Sequence, residues 1–243
     1  SATQRVRVGT AIANVYVRDA RATKSAAYSL TDAFGDRFDL GLGVSNPLGN
    51  EPRGHAWLPP VTKLRDFVDR YDAADLYFQA PEARIPRYLA AHGPKLMKLA
   101  GERFDGAFSY LQTLAYSKIA KGLLGEGRLN LMQPTVFLED PEAARSLARK
   151  AIKIYMPLEN YHRAWRERGF EDTDFNNGGS DTFIDALIPW GNLATINAAY
   201  RQQLAQGVGH IIMTPLGLDL DHDSGWQTIS ELTQSVRASD ATA

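Results

Sequence analysis

Six short apolar runs alternate with amphipathic stretches along the chain, and no hairpin signal joins one run to the next. The runs lie at 6–13, 37–44, 85–91, 104–110, 133–138 and 208–214. Helical stretches lie between and after them, at 19–34, around Val61 to Tyr71, from Pro94, at 111–124, from Pro141, from Ser180, around Leu193 to Leu204, and at 225–236. Strict alternation requires parallel strands joined by right-handed crossovers. Two architectures satisfy it, an open doubly wound sheet and a (β/α) barrel, and in both ligands collect at the carboxyl ends of the strands. Those ends, 11–14, 43–46, 91–94, 109–110 and 213–215, are rich in small residues. A floor of small side chains lets a flat ring approach the backbone.

The stretch RIPRYLAAHGPKLMKLAGERFDGAF, residues 84–108, carries the sharpest local signal. Ile85, Tyr88, Leu89, Ala90 and Ala91 form a run suited to a buried parallel strand. His92 and Gly93 break it, and Pro94 occupies the first helical position, where a missing N–H costs nothing. Leu96, Met97, Leu99 and Ala100 continue as a helical core stripe. A helix start facing the end of a buried strand presents free N–H groups and a positive dipole end, and Lys95 adds a charge. An ordinary βα turn has the same outline, and the stretch by itself does not separate the two.

Further along, Asp140-Pro141-Glu142 combines an N-cap, a proline at the first position and an acid in the first turn. Residues 176–179, NNGG, form a turn, Ser180 caps a short helix reaching Trp190, and the small, polar tail after Val236 is expected to fray. Two longer segments, 45–60 and 158–190, are expected to shape a substrate mouth; in the first, Trp57 is either a lid or an aromatic covering the core.

Charge excludes several classes of function. With 27 basic against 28 acidic residues and no segregation, neither nucleic acid nor an anionic membrane surface is an expected partner. No cysteine is present among the 243 residues, which removes disulfides, thiolate catalysis and Cys-type metal sites. No apolar run is long enough to span a bilayer, and residues 1–7 have no signal-peptide core, so a cytoplasmic protein is expected. The composition, 44% apolar over 243 residues, allows one large domain or two small ones; one domain over residues 1–243 is expected.

Patterned chemistry is sparse. Gly41-Leu42-Gly43 lacks the third glycine of a dinucleotide fingerprint, with Asn46 in its place. Asp219, Asp221 and Asp223 imitate a calcium loop, but Ser224 and Ser230 replace its glycine and glutamate. The five histidines show no metal-ligand spacing, so no metal is expected. His162 and His210 read as structural; His92 is better placed, as a hydrogen-bonding residue or as an acid or base. Neither a nucleophile elbow nor paired carboxylates at strand ends are found, which leaves the catalytic residues unassigned and the chemistry to a bound cofactor.

Residues 8–46 and 85–113 supply a resemblance. VGTAIANVYVRDARATKSAAYSLTDAFGDRFDLGLGVSN and IPRYLAAHGPKLMKLAGERFDGAFSYLQT resemble the luciferase-like monooxygenase superfamily, closest to its coenzyme F420-dependent oxidoreductases. GPKLMKLAGER, SYLQT, DALIPWG and GVGHI match that group's motifs in order. The resemblance implies a (β/α)8 TIM-barrel-like fold with a flavin or deazaflavin at its carboxyl face. It implies a non-proline cis peptide at Ala11-Ile12, with Ala13 and Asn14 beside the ring, and Gly43, Ser45 and Asn46 along the ring edge. It places the cofactor phosphate over His92, Gly93, Pro94 and Lys95, and counts Ala91 and, at the next strand end, Tyr110 among the cofactor-binding residues.

The family's first two β/α units have no counterpart, so strands three to eight of an incomplete barrel are expected, with a homodimer covering the exposed edges. The implied function is hydride transfer or monooxygenation of a small organic substrate by an F420-dependent, or alternatively FMN-dependent, oxidoreductase. The rival is a non-catalytic flavin-binding or interaction protein derived from a truncated barrel.

Overall fold

The computed structural model describes residue 3 and residues 5–240, the side chains of 238–240 excepted. The chain forms two compact units, residues 1–108 with 123–128, and residues 109–122 with 129–243.

In the first unit the initial strand is split into β1 (Val8–Gly9) and β2 (Ala13–Asn14). The continuous run at 6–13 is thus interrupted, with a cis peptide at Ala11-Ile12 between the halves. Both halves pair in parallel with β3 (Phe38–Gly43), Val8 opposite Phe38 and Ala13 opposite Leu42. β3 pairs with β4 (Arg87–Ala90), and β4 with residues 106–108 of β5 (Gly106–Tyr110), again in parallel.

Helix α1 (Ala20–Phe34) is capped by the Asp19 carboxylate on the Ala22 N–H and stopped at Gly35, whose φ of 74° suits glycine. A short α2 (Pro47–Asn50) and a single 3₁₀ turn (Glu51–Arg53) lie inside the segment read as loop, because Asn46 caps it and Pro47 sits at its first position. Helix α3 (Pro60–Ala73) buries Leu64, Phe67, Val68 and Tyr71 of the stripe read from sequence, and leaves its first residue, Val61, half-buried. Each such apolar side chain stabilises by about 2 kcal/mol. Helix α4 (Pro94–Arg103) begins at the expected proline.

Helix α5 is Leu114–Leu124, and β6 is Arg128–Val136. β6 begins five residues before the expected 133, with Pro134 well inside it rather than near its start. The alternating residues Leu129 and Leu131, both buried, carry the extra length. β6 pairs in parallel with β7 (Val208–Leu216).

The main core of the second unit gathers Val136, Ala144, Ala148, Ile152, Trp165, Phe183 and Ile184, all fully buried. Helices α6 (Pro141–Ile152), α7 (Glu159–Arg166) and α8 (Asp181–Leu187) supply most of these residues. Much of the segment 158–190 is therefore helical and helps build the core. α8 ends at Leu187, short of Trp190, which instead bridges Val136. Helices α9 (Leu193–Ala205) and α10 (Asp223–Asp240) follow. α10 continues past Val236, where fraying was expected; residues 241–243 of that tail lie outside the described residues, as do residues 1, 2 and 4 of the amino-terminal reading. No helix among the described residues is long and apolar enough to cross a membrane.

The expected cap of α6 is present, the Asp140 carboxylate accepting from the Ala143 N–H at 2.8 Å. Asp140→Ala is expected to cost about 1 kcal/mol, read as a lower urea midpoint with an unchanged slope.

Candidate functional site

The carboxyl ends of β2, β3 and β4 meet in the first unit. Asn14 is opposite Gly43, and Leu42 opposite Leu89. Backbones approach closely there, and the protein's own atoms fill the places where side chains of Gly41 and Gly43 would stand. A Cβ at Gly43 would stand 3.0 Å from the Ala90 Cβ and 3.1 Å from Ile12 Cγ1. At Gly41 it would stand 1.9 Å from the Thr10 carbonyl oxygen. Thr10 also fixes this spot by its hydroxyl, which accepts from the Gly41 N–H at 3.0 Å and donates to the Gly41 carbonyl at 2.8 Å. The Val15 N–H closes the join on the Gly43 carbonyl at 3.0 Å.

Ser45 turns the chain out of β3 in the left-handed region, at φ 58°. The Asn46 side chain is engaged by the Gly49 N–H at 3.0 Å, so it caps α2. Asn14 is held on both sides of its amide: its Oδ1 accepts from the Tyr16 N–H at 3.0 Å, and its Nδ2 donates to Asn50 Oδ1 at 2.8 Å. Tyr16 stacks on Trp57, ring centroids 5.7 Å apart and 17° from parallel, and its hydroxyl accepts from the Leu58 N–H at 2.9 Å. Trp57 therefore packs on Tyr16 along the strand-end segment.

Beyond β4, the Ala91 N–H bonds the Phe108 carbonyl at 2.9 Å, and Ala91 is buried. His92 and Gly93 are half-buried, Pro94 and Lys95 exposed. Gly93 is the N-cap of α4, extended at φ −124° and ψ 171°, with no side chain capping the helix. The Gly93 carbonyl accepts from the Met97 N–H at 3.0 Å, while helix geometry gives the N–H groups of Lys95 and Leu96 no acceptor within the helix. A Cβ added to Gly93 would meet nothing within 4 Å. Neither its backbone angles nor the surrounding protein require glycine here, and clear space stands in front of an uncapped helix start.

The structure thus brings Ile12, Ala13, Asn14 and Gly43 together, with Ala91 to Lys95 continuing from the neighbouring strand. Tyr110 belongs to the second unit, where its ring lies 5.0 Å from that of Tyr155; burial, with Tyr155 adding to it, pushes its hydroxyl well above the ordinary tyrosine range. Sequence reading missed Asn50 and Tyr16, which tie the 45–60 segment to the strand end. The only hint was the pair of turn-forming asparagines in NPLGN.

Elsewhere in the second unit, a cavity of about 460 Å³ is lined by Glu139, Asp185, Trp190, Asn192 and Thr195, among others. None of these is a residue the resemblance assigns to the cofactor, although Asp185 and Trp190 lie in the DALIPWG stretch, and Asp185 is already committed to Arg145 and to the Trp190 indole N–H. Among the described residues no group of three or more His, Asp or Glu is placed to hold a metal.

Residues 1–182 match the luciferase-like monooxygenase family. The chain belongs to that family. Over 179 residues it is 26% identical to a 5,10-methylenetetrahydromethanopterin reductase of Methanolobus tindarius, a match covering 63% of this chain and 54% of the relative. The chain therefore spans about half the length of that curated relative.

Among solved structures, an F420-dependent secondary alcohol dehydrogenase in complex with an F420-acetone adduct superposes with a TM-score of 0.75. That match covers 97% of this chain and 81% of the other, at 14% identity. The oxygenating constituent of 3,6-diketocamphane monooxygenase from Pseudomonas putida, in complex with FMN, gives a TM-score of 0.67 at 12% identity, covering 96% of this chain and 79% of the other. The fold class is accordingly α/β, an incomplete (β/α) barrel of the luciferase-like kind.

Proposed function

We propose that this chain forms the cofactor-holding part of an oxidoreductase that uses coenzyme F420, with FMN as the alternative, to act on a small organic substrate. The observation that carries this reading is the open, uncapped start of α4 at Gly93, next to strand ends kept small at Gly43 and Ala90. The first suits a phosphate, which backbone N–H groups and the helix dipole attract. The second suits a planar ring lying close to the backbone. When bound, such a cofactor supplies hydride transfer.

The chain's own part is to hold and orient. Lys95 and the N–H groups of the first turn of α4 take the phosphate; Ala13, Asn14 and Gly43 support the ring; Ser45 and Asn46 border its edge. Backbone donors fixed in advance, rather than a dedicated acid, stabilise negative charge on a reduced ring. Tyr110 is assigned to the same cofactor on the resemblance alone.

Titrating the purified chain with F420 and with FMN, followed by absorbance and fluorescence, tests the reading. Saturable uptake of one of the two is expected. Uptake of neither would sink it.

A further inference from the structure

We infer that Asn50 is a positioning residue: it locks the strand-end segments 14–16 and 44–46 together, and so sets the floor and edge against which the cofactor ring is held. The inference rests on the cofactor reading above. Asn50 is fully buried. Its Nδ2 donates to the Val44 carbonyl at 2.7 Å and to the Asn46 carbonyl at 3.0 Å. Because carbonyls only accept, the amide nitrogen must face these two, and Oδ1 is left to accept from Asn14.

Two bonds from one nitrogen therefore straddle Ser45, the residue in the left-handed region. The bond to Asn14 carries the restraint across to the Tyr16 N–H. No other residue of this size does the same. Aspartate lacks the donors, leucine lacks both functions, and serine is too short to span the gap. A second fastening, the Tyr16 hydroxyl with the Leu58 N–H, secures the far end of the same loop. With both ends tied to one strand-end segment, residues 45–58 form a fixed wall, whereas long loops of this kind are often mobile lids.

Asn50→Asp keeps the size and the acceptor while removing the donors; Asn50→Ala removes all three bonds and serves where the aspartate chain does not fold. Thr135→Val, which deletes the buried Thr135–Tyr200 hydroxyl bond in the second unit, controls for general loss of stability. Without cofactor, amide exchange at Val15 and Tyr16 is expected to accelerate about tenfold in the Asn50 variants and to stay unchanged in Thr135→Val. With cofactor, the dissociation constant is expected to rise about tenfold and the induced circular dichroism of the bound ring to change, again only in the Asn50 variants.

Unchanged exchange at Val15 and Tyr16, equal effects from Thr135→Val, or failure of both Asn50 variants to fold would overturn the inference. A wild-type chain that binds neither cofactor overturns the functional reading instead, and the exchange measurement still decides the fastening.

Discussion

Gly93→Asp is expected to fold at least as firmly as the wild-type chain and to lose cofactor affinity by on the order of a hundredfold. The two effects have opposite signs because they have different causes. The extended cap position of Gly93 is open to any residue, and a new Cβ meets no neighbour. An aspartate there caps the first turn of α4, which stabilises a helix by a few tenths of a kcal/mol relative to glycine. The same carboxylate occupies the N–H groups proposed to take the phosphate and sets a negative charge beside them. Gly93→Asn supplies the cap without the charge and is expected to retain more affinity. Thermal unfolding reads the first effect and cofactor titration the second. An aspartate variant that binds like wild type would remove α4 from the cofactor site.

Gly41→Ala is expected to destabilise by roughly 3 kcal/mol, at the upper end of what overpacking costs. The added methyl would lie 1.9 Å from a backbone oxygen of Thr10 and 2.5 Å from Phe108 Cε2. Backbone cannot rotate aside as a side chain can. Thr10 is bound to Gly41 through both directions of its hydroxyl, and the flanking pairs Gly9–Asp39 and Ala13–Leu42 fix the register on either side. Gly122→Ala is the comparison: in α5, with nothing within 4 Å of the new carbon, it is expected to stabilise by up to about 1 kcal/mol. Equal urea midpoints for Gly41→Ala and wild type would mean that β3 can move away from β1 and β2, and that the floor is not rigid.

What could be read in the sequence was whatever a local pattern encodes. The stripe of α3, the Asp140 cap and the start of α4 at Pro94 depend on neighbours within one turn, and they stand where the residues indicated. The start of β6 was missed because Pro134 looks like a beginning, while the buried leucines before it alternate with Arg128, Asn130 and Met132. Helix α7 was announced only by the placement of His162 on a helix, without bounds: ENYHRAWR is mostly polar, and only Ala164 and Trp165 are buried.

At the candidate site, the small residues of the floor were visible as strand ends, and the cis peptide at Ala11-Ile12 followed from the resemblance. The ties that shape the 45–60 segment were not visible. They join Asn14 to Asn50 and Tyr16 to Leu58, residues 36 and 42 positions apart, and no local periodicity records such a pairing.

Trp57 is the lone indole of the first unit, the other three being Trp165, Trp190 and Trp226. Stacked on Tyr16 at the strand end that carries Asn14, it reports on that corner by its emission. Under the proposed function a bound flavin or deazaflavin would absorb where tryptophan emits, so energy transfer from Trp57 would give the chain a built-in optical gauge of occupancy, with no label attached.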